Sequence, residues 1–130
     1  MTRRSSLVLL LLAAGGCSSN DGPVDPVWAK QPCAECKMLV SDRRFAAQAL
    51  QADGARLYFD DIGCLVQHLR DKQAARIWVR DAVHDGWVDA ESARYRSGAL
   101  TPMNYGFEVD RESGDLRFDD VKREVLARRP

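Results

Sequence analysis

Residues 45–69, FAAQALQADGARLYFDDIGCLVQHL, contain the most informative pattern for the fold of this chain. They predict a strand at 45–51, a turn at 52–55, a strand at 56–59 and a helix that runs to residue 69. The turn contains Asp53-Gly54, a dipeptide typical of β-hairpins. Asp60 or Asp61 then caps the helix, whose apolar residues recur at helical spacing: Ile62, Leu65, Val66 and Leu69. A hairpin followed by a helix predicts that strands and helices pack together.

The segments on either side continue this mixture of strands and helices. Before the stretch, Met38-Leu39-Val40 is a short strand candidate. After it, Arg76–Arg80 alternates apolar and charged residues and is the clearest strand in the chain. A hairpin formed by 86–90 and 93–96 follows, and then a loop at 97–106. A strand at 106–110 and a turn at 112–115 come next. The last element is a helix capped by Asp119, with Val121, Val125 and Leu126 on its apolar face. The predicted fold class is α+β, a small single domain with two ββαβ-like halves, the second of them shortened.

The N-terminus predicts export and a lipid anchor. Residues 1–16 contain two arginines, an apolar run from Leu7 to Ala14 and two glycines, which is the order of a secretory signal peptide. The apolar run is too short to span a bilayer, which takes about 20 residues. Cys17 follows small residues, as in bacterial lipoprotein signals, so we expect this thiol to be acylated and to become the mature N-terminus. Ser18 in the next position favours the outer membrane, and we expect the protein on the periplasmic side.

The mature chain divides into a spacer and a domain. Residues 17–28 are rich in Ser, Asn, Asp, Gly and Pro and predict a flexible spacer between the lipid and the domain. Residues 29–130 are predicted to form one domain, in keeping with a chain of 130 residues. Loss of residues 1–16 removes two of the 19 basic side chains and none of the 19 acidic ones, so the mature chain lacks the basic footprint of a nucleic-acid-binding protein.

Soft donor atoms are concentrated in Cys33-Ala34-Glu35-Cys36-Lys37-Met38. This segment carries two thiols and a thioether, and a second thioether, Met103, follows Pro102 in a polar loop. Thiolates and thioethers favour Cu(I) over hard cations such as Mg²⁺. With Cys17 acylated, an odd number of thiols remains, which a purely structural disulfide scheme would not pair completely. These donors predict a copper(I)-handling protein.

Two other interpretations of the same cysteines stay open. Cys33 and Cys36 have the spacing of a disulfide or of the redox-active motif of thiol oxidoreductases. Zinc is the other candidate metal, with His68 or His84 completing the ligand set, although the chain has no second Cys-x-x-Cys pair. The strand-like segment after the motif and the thioether of Met38 favour copper over redox catalysis.

The other polar candidates have simpler explanations. Cys64 lies within an apolar helix, where free cysteine is often buried, so we expect a structural role for it. His68 and His84 lie in charged surroundings and are expected at the surface. A helix cap and a surface charge explain Asp60 and Asp61. Since no nucleophile and base are arranged in the sequence, the protein is not predicted to be an enzyme.

Five short motifs occur in order along the mature chain: CAECKM at 33–38, SDRRFA at 41–46, FDDIGC at 59–64, WVDA at 87–90 with Ala93 and Tyr95, and PM at 102–103 with Tyr105 and Gly106. Taken together they resemble the NosL family, lipoprotein copper chaperones associated with the maturation of nitrous oxide reductase. The similarity covers most of the mature domain. Family members often have Cys-Gly-Met where this chain has Cys36-Lys37-Met38, a replacement that costs turn flexibility and brings a cation close to the site.

This resemblance implies a fold of two related ββαβ halves and a monomeric, periplasmic, lipid-anchored Cu(I) carrier. The sulfur ligands it implies are Cys36 and Met103, with Cys33 and Met38 as further candidates. The partner it implies is apo nitrous oxide reductase, whose copper-sulfide centre would receive the metal, or another copper-receiving protein, because similar proteins occur outside denitrification. The alternative is a membrane-tethered thiol-disulfide oxidoreductase that uses Cys33 and Cys36. The segment 107–116 has room for a hairpin only, which argues against a full helix in the second half.

Overall fold

The Asp53-Gly54 turn closes the first hairpin of the protein, as its sequence predicts. In the computed structural model, which describes residues 21–128, strands β1 (Ala47–Leu50) and β2 (Arg56–Phe59) pair antiparallel. Gly54 has a φ of 88°, in the left-handed region that glycine adopts without strain. The predicted signal peptide and Cys17 lie outside the described residues.

β1 lies inside a four-stranded antiparallel sheet. The strand order is β2-β1-β3-β4, with β3 at Arg76–Arg80 and β4 at Trp87–Asp89. Three consecutive residues of β1, Ala47, Gln48 and Ala49, are buried. Because neighbouring residues of a strand point to opposite faces, both faces of β1 are covered. This explains why its sequence lacks a clean alternation.

Two helices complete the core. Helix α1 (Ile62–His68) connects β2 to β3 and contacts α2 (Phe118–Ala127). Asp61 is the N-cap of α1 and accepts a hydrogen bond from the N–H of Gly63. Among the helices of residues 21–128, none has the length and apolar composition needed to cross a membrane. The bulkiest fully buried apolar side chains of the core are Tyr95, Phe59, Phe107, Ile62 and Leu65.

The second half of the chain is smaller than the first. Strands β5 (Tyr95–Arg96) and β6 (Glu108–Val109) form a two-stranded sheet, joined to the first by a parallel bridge between Asp81 and Val109. The first half, β1-β2-α1-β3, is the predicted ββαβ unit. The second half ends with α2, and the described part of the chain has no strand after it. The α+β class is confirmed.

The hairpin predicted from 86–90 and 93–96 is wrong. β4 pairs with β3, and β5 pairs with β6. The turn that decides this pairing is the one after β3, where Asp85 and Gly86 have φ values of 61° and 91°. The Asp81 N–H donates to the Gly86 carbonyl at 3.0 Å and closes this short connection, so β4 returns alongside β3.

Two smaller predictions also need correction. Met38-Leu39-Val40 is not a strand, since only an isolated bridge joins Leu39 to Pro32. The extended run is interrupted at Lys37, whose φ is 70°. The N-cap of α2 is Arg117 and not Asp119, and the carboxylate of Asp120 accepts a hydrogen bond from the Arg117 N–H at 2.8 Å. The helix predicted around residues 121–126 is nevertheless present as α2.

Contacts of the domain extend into the segment predicted to be a spacer. The N–H of Val24 donates to the side-chain oxygen of Gln48 at 3.0 Å, and the Tyr58 hydroxyl donates to the Val24 carbonyl at 3.1 Å. The Trp87 indole donates to Asp25 at 2.7 Å. Gln48 is fully buried in the central strand, and its amide oxygen needs a donor. Val24 supplies one.

Asp81 is a buried carboxylate at the end of β3 that holds turns from both sheets. Its Oδ1 accepts hydrogen bonds from the N–H groups of Val83 and His84, and its Oδ2 accepts them from the N–H and side chain of Arg111. Burial alone would raise the pKa of Asp81, but these hydrogen bonds hold it well below its usual value.

We expect Asp81→Asn to lower the free energy of unfolding by about 1–3 kcal/mol near neutral pH, because a donor replaces one accepting oxygen. The folded-state pKa is depressed, so this stabilisation is present above the unfolded pKa of about 3.9 and is lost as pH falls through the folded pKa. Urea unfolding near pH 7 and near pH 3 should therefore show a smaller difference from wild type at the lower pH. Asp119→Asn, which removes an exposed ion pair with Lys122, is the control and should leave the free energy of unfolding nearly unchanged. If wild type and Asp81→Asn differed by the same free energy of unfolding at both pH values, a lowered pKa of Asp81 in the folded protein would be contradicted.

Candidate metal centre

Three cysteines and one aspartate converge at the corner between β2 and α1. The thiol sulfurs of Cys33, Cys36 and Cys64 and a carboxylate oxygen of Asp60 all lie within 4.8 Å of one another. All three thiols are free. The Cys36 thiol donates a hydrogen bond to Asp60 Oδ1 at 3.3 Å. We call these four residues the thiol cluster.

The loop that carries Cys33 and Cys36 is held by its backbone. The Cys33 N–H donates to the Met38 carbonyl at 2.7 Å, and the Lys37 N–H donates to the Cys33 carbonyl at 3.1 Å. The Ala34 N–H donates to the Tyr58 carbonyl at 2.8 Å, which fixes the loop along the free edge of β2. Because Asp60 directly follows β2, this edge contact brings both cysteines to the corner.

A side-chain pair ties the same loop to α1. Glu35 lies between the two cysteines, and its carboxylate is 2.9 Å from Nδ1 of His68. His68 is four residues after Cys64, one turn along the same helix. The ring of Phe59 contacts the His68 ring at a centroid distance of 5.4 Å. The loop and the helix that supply the three thiols are therefore linked directly.

Burial divides the cluster into a closed side and an open side. Cys33 and Cys64 are 0% and 1% exposed, and Asp60 is 3% exposed. Cys36 is only partly buried. A ligand or a metal ion from solvent therefore approaches the cluster through Cys36.

The three thiols differ in pKa. The hydrogen bond from the Cys64 thiol lowers the pKa of Cys33 to about 6, although burial opposes this. Burial raises the pKa of Cys36 to about 12, and its contacts with Asp60 and Cys33 act in the same direction. The hydrogen bond with Cys33, together with burial, raises the pKa of Cys64. The lowest pKa of the three therefore belongs to a buried thiol, Cys33.

This arrangement can hold a thiophilic metal ion. Metal–thiolate bonds of about 2.3 Å and metal–carboxylate bonds of about 2.0–2.2 Å place neighbouring ligand atoms roughly 3.5–3.8 Å apart around one tetrahedral ion. The ligand atoms of the cluster lie within 4.8 Å of one another, so small side-chain movements would bring them onto one ion. The residues give three sulfur donors and one oxygen donor.

Two members of the cluster were missed in the sequence. Cys64 was expected to be structural and Asp60 to be either the helix cap or a surface charge, but Asp60 is buried and both lie close to Cys33 and Cys36. The cap is Asp61 alone. The four-residue spacing of Asp60 and Cys64 across a helix start was the available signal, because it places both side chains near one end of α1.

The predicted histidine ligands lie outside the cluster. His68 contacts Glu35, and His84 lies next to Asp81 and Glu112 on the turn after β3. Neither side chain is among the cluster's four ligand atoms. The thiol cluster is therefore not a zinc site completed by a histidine.

The two predicted thioether ligands, Met38 and Met103, are at the surface. Met38 is 60% exposed and Met103 is 40% exposed. The Met103 N–H donates to Asp61 Oδ2 at 2.9 Å, so its loop is attached next to Asp60. Met103 and Glu35 line the same open cleft of about 380 Å³. The Met103 loop thus lies on the side of the domain that carries the cysteines.

A metal-binding experiment can distinguish a ligand role of Cys64 from a purely structural role in the core. With Cd(II) as the probe, we expect one equivalent to bind to the reduced protein and to produce ultraviolet thiolate-to-metal absorption. Cys64→Ser should remove about a third of that absorption and weaken Cd(II) binding about tenfold or more, because one of three thiolates is lost. Cys64→Ala, which restores an apolar side chain without a donor, should show the same loss. Unchanged absorption with lowered thermal stability would assign Cys64 to the core alone.

Lys37 is strained at a φ of 70°, and its ammonium donates to the Ala34 carbonyl at 2.7 Å within the same loop. A non-glycine residue in this region costs about 1 kcal/mol or more. We therefore expect Lys37→Gly to raise the free energy of unfolding by about 0.5–1 kcal/mol, measured by urea denaturation of the metal-free protein. Lys37→Ala, which keeps a Cβ, is the matched control and should give no gain. A gain from alanine equal to that from glycine would refute backbone strain as the cause.

No protein-family model, no curated protein and no solved structure matches this chain.

Proposed function

We propose that this protein is a periplasmic, lipid-anchored metallochaperone that binds Cu(I) through the thiol cluster and passes it to a partner protein. The observation that carries the proposal is the convergence of three thiols within 4.8 Å, open to solvent only at Cys36. Thiolate and thioether sulfurs are soft ligands that favour Cu(I), and Cu(I) also accepts low coordination numbers. The lipid anchor at Cys17 and the periplasmic location are part of the proposal.

Met103 supports copper over zinc as the cargo. A closed zinc site would use the three thiolates and Asp60 and would leave the neighbouring thioether without a role. A thioether is a poor zinc ligand and a good Cu(I) ligand. Met103 is attached beside Asp60 through Asp61 and is 40% exposed, so it can approach an ion bound at Cys36. In this proposal Cys36 and Met103 hold the ion on the open side, and Cys33 or Met38 gives a further donor.

The difference in burial suggests how the ion is released. An incoming ligand from a partner can reach an ion at Cys36, whereas Cys33 and Cys64 are buried. Ligands would therefore be exchanged one at a time, starting on the Cys36 side. An acyl anchor would confine the search for the partner to the membrane surface. The partner we propose is apo nitrous oxide reductase or another copper-receiving protein, on the strength of the resemblance to NosL chaperones.

The oxidoreductase alternative is weakened by the distribution of pKa values. A thiol-disulfide oxidoreductase needs a nucleophilic thiolate that its substrate can reach. Here the thiol with the lowered pKa, Cys33, is completely buried, and burial raises the pKa of the more accessible Cys36 to about 12. Insulin reduction tests this alternative, and turnover comparable with that of thioredoxin would support it.

The copper proposal predicts one equivalent of tightly bound Cu(I) in the reduced mature protein. Competition against a chromophoric Cu(I) chelator should show this stoichiometry, and Met103→Ala should weaken the affinity about tenfold because one soft donor is lost. Leu100→Ala, which truncates an exposed apolar residue of the same loop, is the control and should leave the affinity unchanged. If the reduced protein bound Zn(II) in preference to Cu(I), the choice of metal would be overturned. A Met103→Ala variant with wild-type affinity would remove Met103 from the site.

A further inference from the structure

Asp61 connects the helix that carries Cys64 to the loop that carries Met103. Its side chain is completely buried, and its two oxygens accept different hydrogen bonds. Oδ1 accepts the N–H of Gly63 at 2.9 Å and caps α1. Oδ2 accepts the N–H of Met103 at 2.9 Å, across 42 residues of sequence. The helix cap therefore uses only half of this carboxylate.

A second contact fixes the same loop on the same turn of helix. A side chain on Gly63 would clash with the ring of Tyr105, so the ring packs directly on the backbone of α1. The loop is also closed on itself, since the N–H groups of Asn104 and Gly106 donate to the carbonyl and the hydroxyl of Thr101. The loop around Met103 is thus fixed to the start of α1 at Met103 and at Tyr105, and by hydrogen bonds within the loop.

The neighbouring carboxylate has a different partner. Asp60 accepts the Cys36 thiol within the thiol cluster, whereas Asp61 accepts the Met103 backbone. The two residues are joined by one peptide bond. The first turn of α1 is rigid at this point, because the N–H groups of Cys64 and Leu65 both donate to the Asp61 carbonyl. The distance between the cluster and the Met103 loop is therefore set at Asp61.

We propose that Asp61, with Gly63 as its support, is the positioning residue that holds the Met103 thioether beside the thiol cluster. This inference rests on the proposed function, in which Met103 is a Cu(I) donor. A donor on a free loop would have to be ordered when the ion binds, and that cost would reduce the affinity. A donor on a loop that is already fixed avoids most of this ordering cost.

Asp61→Asn tests this with little change in shape. Asparagine is as good an N-cap as aspartate, so its oxygen can still accept the Gly63 N–H. Its amide group then faces the Met103 N–H, donor against donor, and the bond to the loop is lost. We expect Asp61→Asn to weaken Cu(I) binding about tenfold, similar to Met103→Ala. The double variant should be no weaker than Met103→Ala alone, because both changes remove the same contribution.

Three further measurements separate positioning from a general structural role. Cd(II) bound by the three thiolates should show wild-type absorption and affinity in Asp61→Asn, since the thiol cluster is unaffected. Asp42→Asn, the same change at the N-cap of the 3₁₀ helix Arg43–Phe45, should leave Cu(I) affinity unchanged. Gly63→Ala keeps Asp61 but displaces the Tyr105 ring, so it should weaken Cu(I) binding as much as Asp61→Asn does. If Asp61→Asn does not fold, this variant tests the positioning of Met103 in its place.

The outcomes distinguish this inference from the proposed function. If the wild-type protein binds no Cu(I), the proposed function fails. If wild type binds Cu(I) and Met103→Ala weakens it, but Asp61→Asn and Gly63→Ala keep wild-type affinity, only the positioning role is overturned. Additive losses in the double variant, or an equal loss of Cd(II) affinity, would also overturn it.

Discussion

Two consecutive carboxylates, buried at the corner between β2 and α1, constrain the rest of the structure. A buried carboxylate is costly unless it accepts hydrogen bonds or binds a cation. Asp60 accepts the thiol of Cys36, and Asp61 accepts the N–H groups of Gly63 and Met103. Satisfying both side chains draws together the Cys-x-x-Cys loop, the first turn of α1 and the Met103 loop, which are far apart in the sequence.

The same corner gives the candidate site its asymmetry. Its inner thiols, Cys33 and Cys64, are buried in the core, while Cys36 is partly exposed and the Met103 loop is attached to Asp61, the neighbour of Asp60. A fully buried metal site favours retention, and a fully exposed one favours loss to competing ligands. A site that is closed on one side and open on the other suits a protein that must hold an ion and also release it to a partner.

Local sequence patterns were enough to predict most of the individual elements and two of the four residues of the thiol cluster. The Asp-Gly turn and the apolar spacing after it predicted β1, β2 and α1, and the alternation of 76–80 predicted β3, because these signals depend only on neighbouring residues. Cys33 and Cys36 were identified because their spacing is itself local. Their soft donor atoms are compatible with a thiophilic metal ion, and the choice of copper is a proposal.

Strand pairing and the distant residues that join the cysteines depend on the tertiary structure. A short strand can pair with either neighbour, and the turn at Gly86 placed β4 against β3 where the sequence pattern had suggested β5. Cys64 and Asp60 had ordinary local explanations: Cys64 as a core residue, and Asp60 as a helix cap or a surface charge. Their place in the thiol cluster depends on the Ala34 contact that brings the Cys-x-x-Cys loop to the end of β2. Local periodicity reports whether a side chain is buried, but the identity of its neighbours is set by long-range packing, which the sequence pattern does not contain.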